Sequence, residues 1–102
     1  MRLPSQADAA EEFEEAAAWY ERERRGYGAL FAAEVLRAVE RACELPHSGP
    51  RVPATPQARD VRRFVVRRFP YTVVTAMVAG QQAVVAVAHG RRGPGYWRDR
   101  LK

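Results

Sequence analysis

The sequence has very little cysteine and no long apolar run. Cys43 stands alone among 102 residues, so no disulfide can form within the chain, and no Cys/His group has metal-ligand spacing. No stretch approaches the roughly 18 consecutive apolar residues of a membrane span, and the N-terminus lacks the basic-then-apolar order of a signal peptide. These absences predict a cytoplasmic protein with no metal, no cofactor and no membrane partner.

Lysine is nearly absent, and the second half of the chain has almost no acidic residues. Arginine supplies 16 of the 17 basic residues. Residues 1–50 hold 6 Arg against 10 Asp/Glu, a net charge of −4, whereas residues 51–102 hold 11 Arg/Lys against 2 Asp, a net charge of +9. This asymmetry predicts one basic surface and a polyanionic or acidic partner. Arginine grips phosphate and carboxylate bidentately and stacks on bases, although a GC-rich genome gives the same preference over lysine.

The first half of the chain predicts a helical hairpin over residues 6–45. Residues 5–8, SQAD, have the form of a capping box and predict a helix from about Gln6 to Arg24. Glycines at 26 and 28 then break the chain, and a second helix is predicted to end at Pro46. Its predicted buried stripe consists of Phe31, Val35, Ala38, Val39, Ala42 and Leu45.

The second half predicts an antiparallel meander over residues 60–89. Residues 46–58 contain four prolines and no periodic pattern, which is typical of an irregular connection. Extended segments follow at residues 60–69, 71–78 and 82–88, with Ala79-Gly80 as a hairpin turn. The predicted fold class is α+β in a single domain over residues 1–102, with the helical hairpin packed on one face of a three- to four-stranded sheet. Arg2-Leu3 is a candidate fourth, edge strand, and the opposite face of the sheet is expected to be open to a partner.

Two arginine pairs interrupt the first extended segment, at Arg62-Arg63 and Arg67-Arg68. Because side chains alternate along a strand, each pair is expected to send one arginine to each face of the sheet. The alternative interpretation is a solvated, charged edge that discourages strand pairing between molecules.

The basic C-terminal segment, residues 90–102, follows the most apolar strand in the stretch AVAHGRRGPGYWRDRL. His89 lies at the end of that strand beside arginines, where it can serve as an acid or base or cap the strand by bonding to the backbone. Tyr96 and Trp97 can stack on bases, and Trp97 can equally pin the segment to the core, which is the interpretation we favour for it.

Four stretches, in their order and spacing, resemble the RelE/ParE superfamily of toxins from type II toxin–antitoxin modules. They are EEAAAWYERE, LPHSGP, VRRFVVRRFPYTVV and AVVAVAHGRRGPGYWRDRL. The resemblance covers nearly the whole chain and implies the RelE/ParE toxin-like fold. It further implies a bacterial growth inhibitor that a cognate antitoxin, acidic and partly disordered, holds inactive.

The resemblance implies two alternative targets. Members similar to RelE cut ribosome-bound mRNA by attack of a 2′-hydroxyl on the adjacent phosphate, whereas members similar to ParE inhibit DNA gyrase without catalysis. We predict the first activity, that of a metal-independent mRNA endoribonuclease, and hold gyrase inhibition as the alternative.

The nuclease hypothesis assigns roles to seven residues of this chain. Tyr96, His89 and Arg92 are the predicted catalytic residues, and the predicted phosphate-binding residues are Arg63, Arg67, Arg91 and Arg98. Thr72 and Gly90 stand where RelE-like members have arginines. These two departures favour the gyrase alternative.

Overall fold

The computed structural model describes residues 5–93 and 95–101, and its elements follow the predicted order. They are helices α1 (Ala7–Glu23) and α2 (Tyr27–Glu44), short 3-10 helices at Pro46–Ser48 and Gln57–Arg59, strands β1 (Arg62–Val66), β2 (Tyr71–Val78) and β3 (Gln81–His89), and a C-terminal 3-10 helix (Tyr96–Leu101). The strands form an antiparallel sheet in the order β1-β2-β3. The predicted α+β class and helical hairpin are confirmed. No helix among the described residues is long and apolar enough to cross a membrane.

Helix α1 begins without the predicted capping box. Its N-cap is Gln6, whose side chain makes no capping hydrogen bond. Ser5 instead forms an isolated parallel bridge with Val84, and the Gln6 N–H donates to the Val84 carbonyl at 3.0 Å. The chain therefore runs along the edge of β3 before it enters the helix. Ser5 lies in this bridge, and Gln6 takes the N-cap position. The candidate strand at Arg2-Leu3 lies outside the described residues.

The turn between the helices depends on glycine and on one glutamate. Glu21 accepts hydrogen bonds from the N–H groups of Gly26 and Gly28 at 3.0–3.1 Å. A Cβ at Gly28 would lie only 2.8 Å from the Ala17 carbonyl oxygen, so glycine permits the close approach of α2 to α1. The glycines at 26 and 28, which the sequence predicts as the break between the helices, thus form the turn and allow α2 to pack closely on α1.

The main core lies between the helical hairpin and one face of the sheet. Phe31 of α2 is fully buried at its centre, in contact with aromatic rings from α1, β2 and the turn before β2. Four residues of the predicted α2 stripe are buried and Val39 is partly buried. Leu45 is a wrong assignment, because it is the C-cap of α2 and is 64% exposed.

Strand β1 is shorter than predicted, and this changes where the arginine pairs lie. It ends at Val66, so Arg67 and Arg68 belong to the turn before β2, with Arg68 in a left-handed conformation at φ 73°. Within β1, Arg63 faces away from the helices, whereas Arg62 donates to the carbonyl oxygens of His47 and Gly49 in the connection. The expected alternation therefore holds for the first pair and not for the second.

The face of the sheet opposite the helices, called here the second face, is partly covered. Trp97 and Leu101 of the C-terminal 3-10 helix are buried there against Val74, Ala76 and Val85. Only part of this face is therefore open to a partner, because the C-terminal segment folds back over the sheet. Trp97 pins that segment to the core, as favoured over base stacking.

Candidate functional site

Two surface cavities adjoin along β1, sharing Arg63 and Thr72 in their linings. The first has a volume of about 340 Å³ and is lined by five of the seven predicted site residues, namely Arg63, His89, Arg92, Tyr96 and Arg98. The second, of about 570 Å³, contains Arg67 together with Arg41, Phe64 and Val65. Gly90 and Thr72 both line the first cavity. The sheet end thus gathers six of the seven residues, and Arg91 lines neither cavity.

Arg63 and Arg67 present their guanidinium groups to solvent. Arg63 is held on β1 opposite Val74, and Arg67 follows in the turn after the strand. Both are exposed, and neither side chain has a hydrogen bond or ion pair within residues 5–93 and 95–101. Val65, between them in the chain, is 63% exposed. Two unpaired cations and an apolar side chain therefore form one exposed strip, called here the β1 strip.

Arg98 is engaged in holding the loop before β1. Its guanidinium donates to the carbonyl oxygens of Ala54 at 2.6 Å and Pro53 at 3.2 Å. Arg98 also lies over the Trp97 ring, 5.4 Å from its centroid. These contacts give Arg98 a structural task that the sequence did not indicate.

Tyr96 and Arg92 are both bound to Glu12 of α1. The Tyr96 hydroxyl donates to Glu12 Oε2 at 2.5 Å, and Arg92 Nη1 donates to the same oxygen at 3.2 Å. The Arg92 guanidinium also lies 3.6 Å from the centroid of the Tyr96 ring. The predicted catalytic tyrosine and its neighbouring cation are therefore brought together, but around a carboxylate of the same chain.

The Glu12 carboxylate has two further donors. Arg100 grips it with both terminal nitrogens, Nη1 to Oε1 at 2.9 Å and Nη2 to Oε2 at 3.0 Å. The Val87 N–H on the outer edge of β3 donates to Oε1 at 3.0 Å. With 12% of its side chain exposed, Glu12 ties α1, β3 and the C-terminal helix together. We call Glu12, Val87, Arg92, Tyr96 and Arg100 the Glu12 network.

The network shifts the pKa values of its members in opposite directions. Burial alone would raise the pKa of Glu12, but hydrogen bonds from Arg100, Tyr96 and the Val87 N–H outweigh it and lower that pKa below the ordinary 4.5. Burial, followed by the hydrogen bond to Glu12, raises the pKa of Tyr96 to about 12. Tyr96 is therefore a neutral donor at physiological pH, and it is a poor proton acceptor.

The Tyr96 pKa gives a direct test of this geometry. Titration of tyrosinate absorbance, with Tyr96→Phe to assign the signal, should place the Tyr96 pKa near 12, and Glu12→Gln should lower it toward 10.0 because the negative charge is lost. Because the folded pKa is raised, the stabilisation from neutral Tyr96 is complete below pH 10.0 and is lost as pH rises toward about 12. Between pH 10.0 and about 12, the unfolding free energy of Tyr96→Phe should therefore fall less than that of the unaltered protein. An unchanged Tyr96 pKa in Glu12→Gln would contradict the contact.

His89 lies at the end of β3 with one ring nitrogen occupied. Its Nδ1 accepts a hydrogen bond from the Arg91 N–H at 2.9 Å, and its ring meets Tyr71 edge-on with centroids 4.9 Å apart. The predicted backbone-capping role of His89 is therefore present in the structure. The His89 side chain also lines the first cavity.

Glu12 was not among the predicted site residues. It lies among Glu11, Glu14 and Glu15 on the first helix. Nothing in its spacing separates it from these neighbours, because its partners lie more than 70 positions away in the chain. The only sequence signal was the excess of arginine in the C-terminal segment, which needs a carboxylate partner when it folds onto the sheet.

The fold is similar to that of a chain in a solved structure described as "Chromosomal ParDE TA system from P. aeruginosa". The similarity covers 87% of this chain and 95% of the other chain, with a TM-score of 0.67 and 17% sequence identity. The RelE/ParE-like fold implied by the sequence resemblance is thus confirmed. No protein-family model matches the sequence, and no curated protein matches it.

Proposed function

We propose that this protein is the toxin of a type II toxin–antitoxin module and that it inhibits growth by binding its target rather than by cleaving RNA. DNA gyrase is the target that the family resemblance implies for such a mode of action. A cognate antitoxin neutralises the toxin. The fold shared with the chain from a ParDE system supports the assignment to a toxin–antitoxin module.

The hydrogen bonds of Tyr96 and Arg92 to Glu12 are the observation that favours binding over cleavage as the mode of action. Cleavage by a 2′-hydroxyl needs a base, cations to hold the charge that develops on the phosphate, and an acid for the leaving oxygen. Here the Tyr96 hydroxyl donates to a carboxylate, and the positive charges of Arg92 and Arg100 are offset by that carboxylate. Thr72 and Gly90 add no cation to the cavity. Tyr96, the predicted proton-transfer residue, and two of the nearby cations are therefore engaged within the protein.

The β1 strip supports a binding surface for a protein. Arginine is enriched at the energetic centres of protein interfaces, where it surrounds apolar contacts. Arg63 and Arg67 flank the exposed side chain of Val65 in this way. The second cavity lies beside them, and Phe64 is part of its lining. An acidic, partly apolar surface of the target fits this strip.

The antitoxin is assigned to a different surface, the groove between α1 and α2. This groove has a volume of about 520 Å³, and its lining is mostly apolar, with Phe13, Leu36, Val39 and Val84 among its residues. Leu36 is 51% exposed at its rim. An amphipathic segment of an antitoxin that orders on binding can bury its apolar face here. The antitoxin and the target thus bind different surfaces, the groove and the β1 strip.

Cleavage of ribosome-bound mRNA is the second candidate function, and one observation favours it. Arg63, His89, Arg92 and Tyr96 line the same cavity of about 340 Å³, which is the grouping that the nuclease hypothesis predicts. Cleavage would require Glu12 to release Tyr96 and Arg92 when the ribosome is bound.

The double variant Tyr96→Phe with His89→Ala separates the two functions. For a toxin that acts by binding, induction of the double variant should arrest growth as the unaltered chain does, because neither side chain belongs to the β1 strip. A nuclease should lose its activity by a factor of at least about 100 when its proton-transfer pair is removed. Growth of induced cultures, with protein levels matched by immunoblot, measures the difference. A complete loss of arrest would overturn the binding function.

A further inference from the structure

The donors around Glu12 form a site of the kind that proteins build for oxyanions. Arg100 supplies a bidentate fork, Arg92 a second guanidinium, Tyr96 a hydroxyl and Val87 a backbone N–H, with donor distances of 2.5–3.2 Å. Such forks match the two oxygens of a carboxylate or phosphate. In this structure the anion is a side chain of the protein itself.

The donors are also fixed by contacts that do not involve Glu12. Arg100 Nη1 donates to the Val85 carbonyl at 2.9 Å, and the Arg100 guanidinium lies 5.2 Å from the centroid of the Tyr96 ring. Trp97 and Leu101, on either side of Arg100 in the chain, are only 5% and 6% exposed and anchor their helix to the sheet. Arg100 and the helix that carries Tyr96 therefore keep anchors of their own when the Glu12 carboxylate is removed.

The site has an opening to solvent beside α1. A surface depression of about 190 Å³ is lined by Glu12, Glu15, Trp19, His89 and Arg92. The Arg92 side chain at its rim is 54% exposed. A small anion can therefore reach the donors once the Glu12 carboxylate is absent or turned away.

We infer that Val87 N–H, Arg92, Tyr96 and Arg100 form an oxyanion-binding site that Glu12 closes as an internal anion. The ligand class is a carboxylate or a phosphate group, and either must displace Glu12 to enter. The inference does not depend on which target the proposed toxin has. Glu12 is the carboxylate that contacts all four donors, and Asp8, whose Oδ2 lies 3.5 Å from Arg100 Nε, is a second carboxylate beside the site.

Removal of the internal anion should open the site to added phosphate. An internal anion that fills the site more than nine-tenths of the time weakens external binding at least about tenfold. Inorganic phosphate should therefore bind to Glu12→Ala at least about tenfold more tightly than to the unaltered protein, and it should raise the thermal midpoint of the variant. The Val87 amide and the Tyr96 ring, followed by NMR, should shift in the same titration. Sodium acetate at matched ionic strength tests the carboxylate class.

Glu15→Ala is the matched control, because Glu15 lines the same depression and forms no hydrogen bond or ion pair with these four donors. It removes one negative charge from the same helix face, so it should bind phosphate no better than the unaltered protein. If Glu12→Ala does not fold in chloride buffer, phosphate or acetate should restore folding. Phosphate and acetate responses of Glu12→Ala equal to those of Glu15→Ala, or a failure of both anions to restore folding, would show that the donors form no site of their own.

Discussion

Replacement of both Arg63 and Arg67 by alanine should abolish growth arrest while leaving the protein folded. The two side chains are exposed and unpaired among the described residues, so their removal costs little stability. At a binding surface each arginine is worth about 2 kcal/mol, and the loss of both should weaken target binding roughly a thousandfold. Induced cultures of the double variant should therefore grow at the rate of uninduced ones.

Arg22→Ala with Arg25→Ala is the matched control for this result. It removes the same two charges, but from exposed positions near the end of α1 and in the turn that follows. The control should arrest growth fully, since neither residue lies on the β1 strip. If growth arrest survives the loss of Arg63 and Arg67, the target binds elsewhere. If arrest is lost equally in the control, target binding depends on net charge and not on the β1 strip.

Leu36→Glu should free the toxin from its antitoxin without reducing its toxicity. Leu36 lies at the rim of the apolar groove, and an antitoxin segment that covers it would have to bury the new carboxylate without a partner. This burial costs at least about 2 kcal/mol, which weakens antitoxin binding roughly 30-fold. Coexpression of the cognate antitoxin should then no longer restore growth, and calorimetric titration of the purified pair should show the weaker affinity.

Leu45→Glu provides the control for the groove. Leu45 is 64% exposed at the C-cap of α2 and does not line the groove, so the same chemical change there should leave neutralisation intact. If Leu36→Glu is neutralised as well as Leu45→Glu, the antitoxin binds elsewhere. The basic residues of the second face are then the surface to test, since an acidic antitoxin can bind them.

Local patterns in the sequence were sufficient to predict the helices, the strands and most of the core. The 3.6-residue period of α2 and the apolar runs of β2 and β3 depend on near neighbours, and Ala79-Gly80 adopts the two positive φ values that a tight hairpin turn requires. The end of β1 was missed because residues 67–69 repeat the Arg-Arg-Phe order of residues 62–64, which lie in the strand, whereas residues 67–69 form a turn. The capping box at residues 5–8 was overridden by pairing of Ser5 with β3.

The sequence predicted most of the residues that lie around the candidate site but not the hydrogen bonds that they make. Six of the seven predicted residues lie around two adjoining cavities, because strand order and chain direction bring the ends of β1 and β3 to the same end of the sheet, on either side of the start of β2. The bonding of Tyr96 and Arg92 to Glu12 was not predictable. It depends on how α1 packs across the sheet edge, which is a tertiary contact with no local signature.

Binding and cleavage are distinguished by inducing the protein without its antitoxin and mapping the 5′ ends of cellular mRNA within minutes. A toxin that acts by binding should arrest growth with intact mRNA, and a gyrase inhibitor should in addition provoke a DNA-damage response. New 5′ ends inside coding regions, absent when Tyr96→Phe is induced, would contradict this account and establish a ribosome-dependent nuclease in which Glu12 releases the tyrosine.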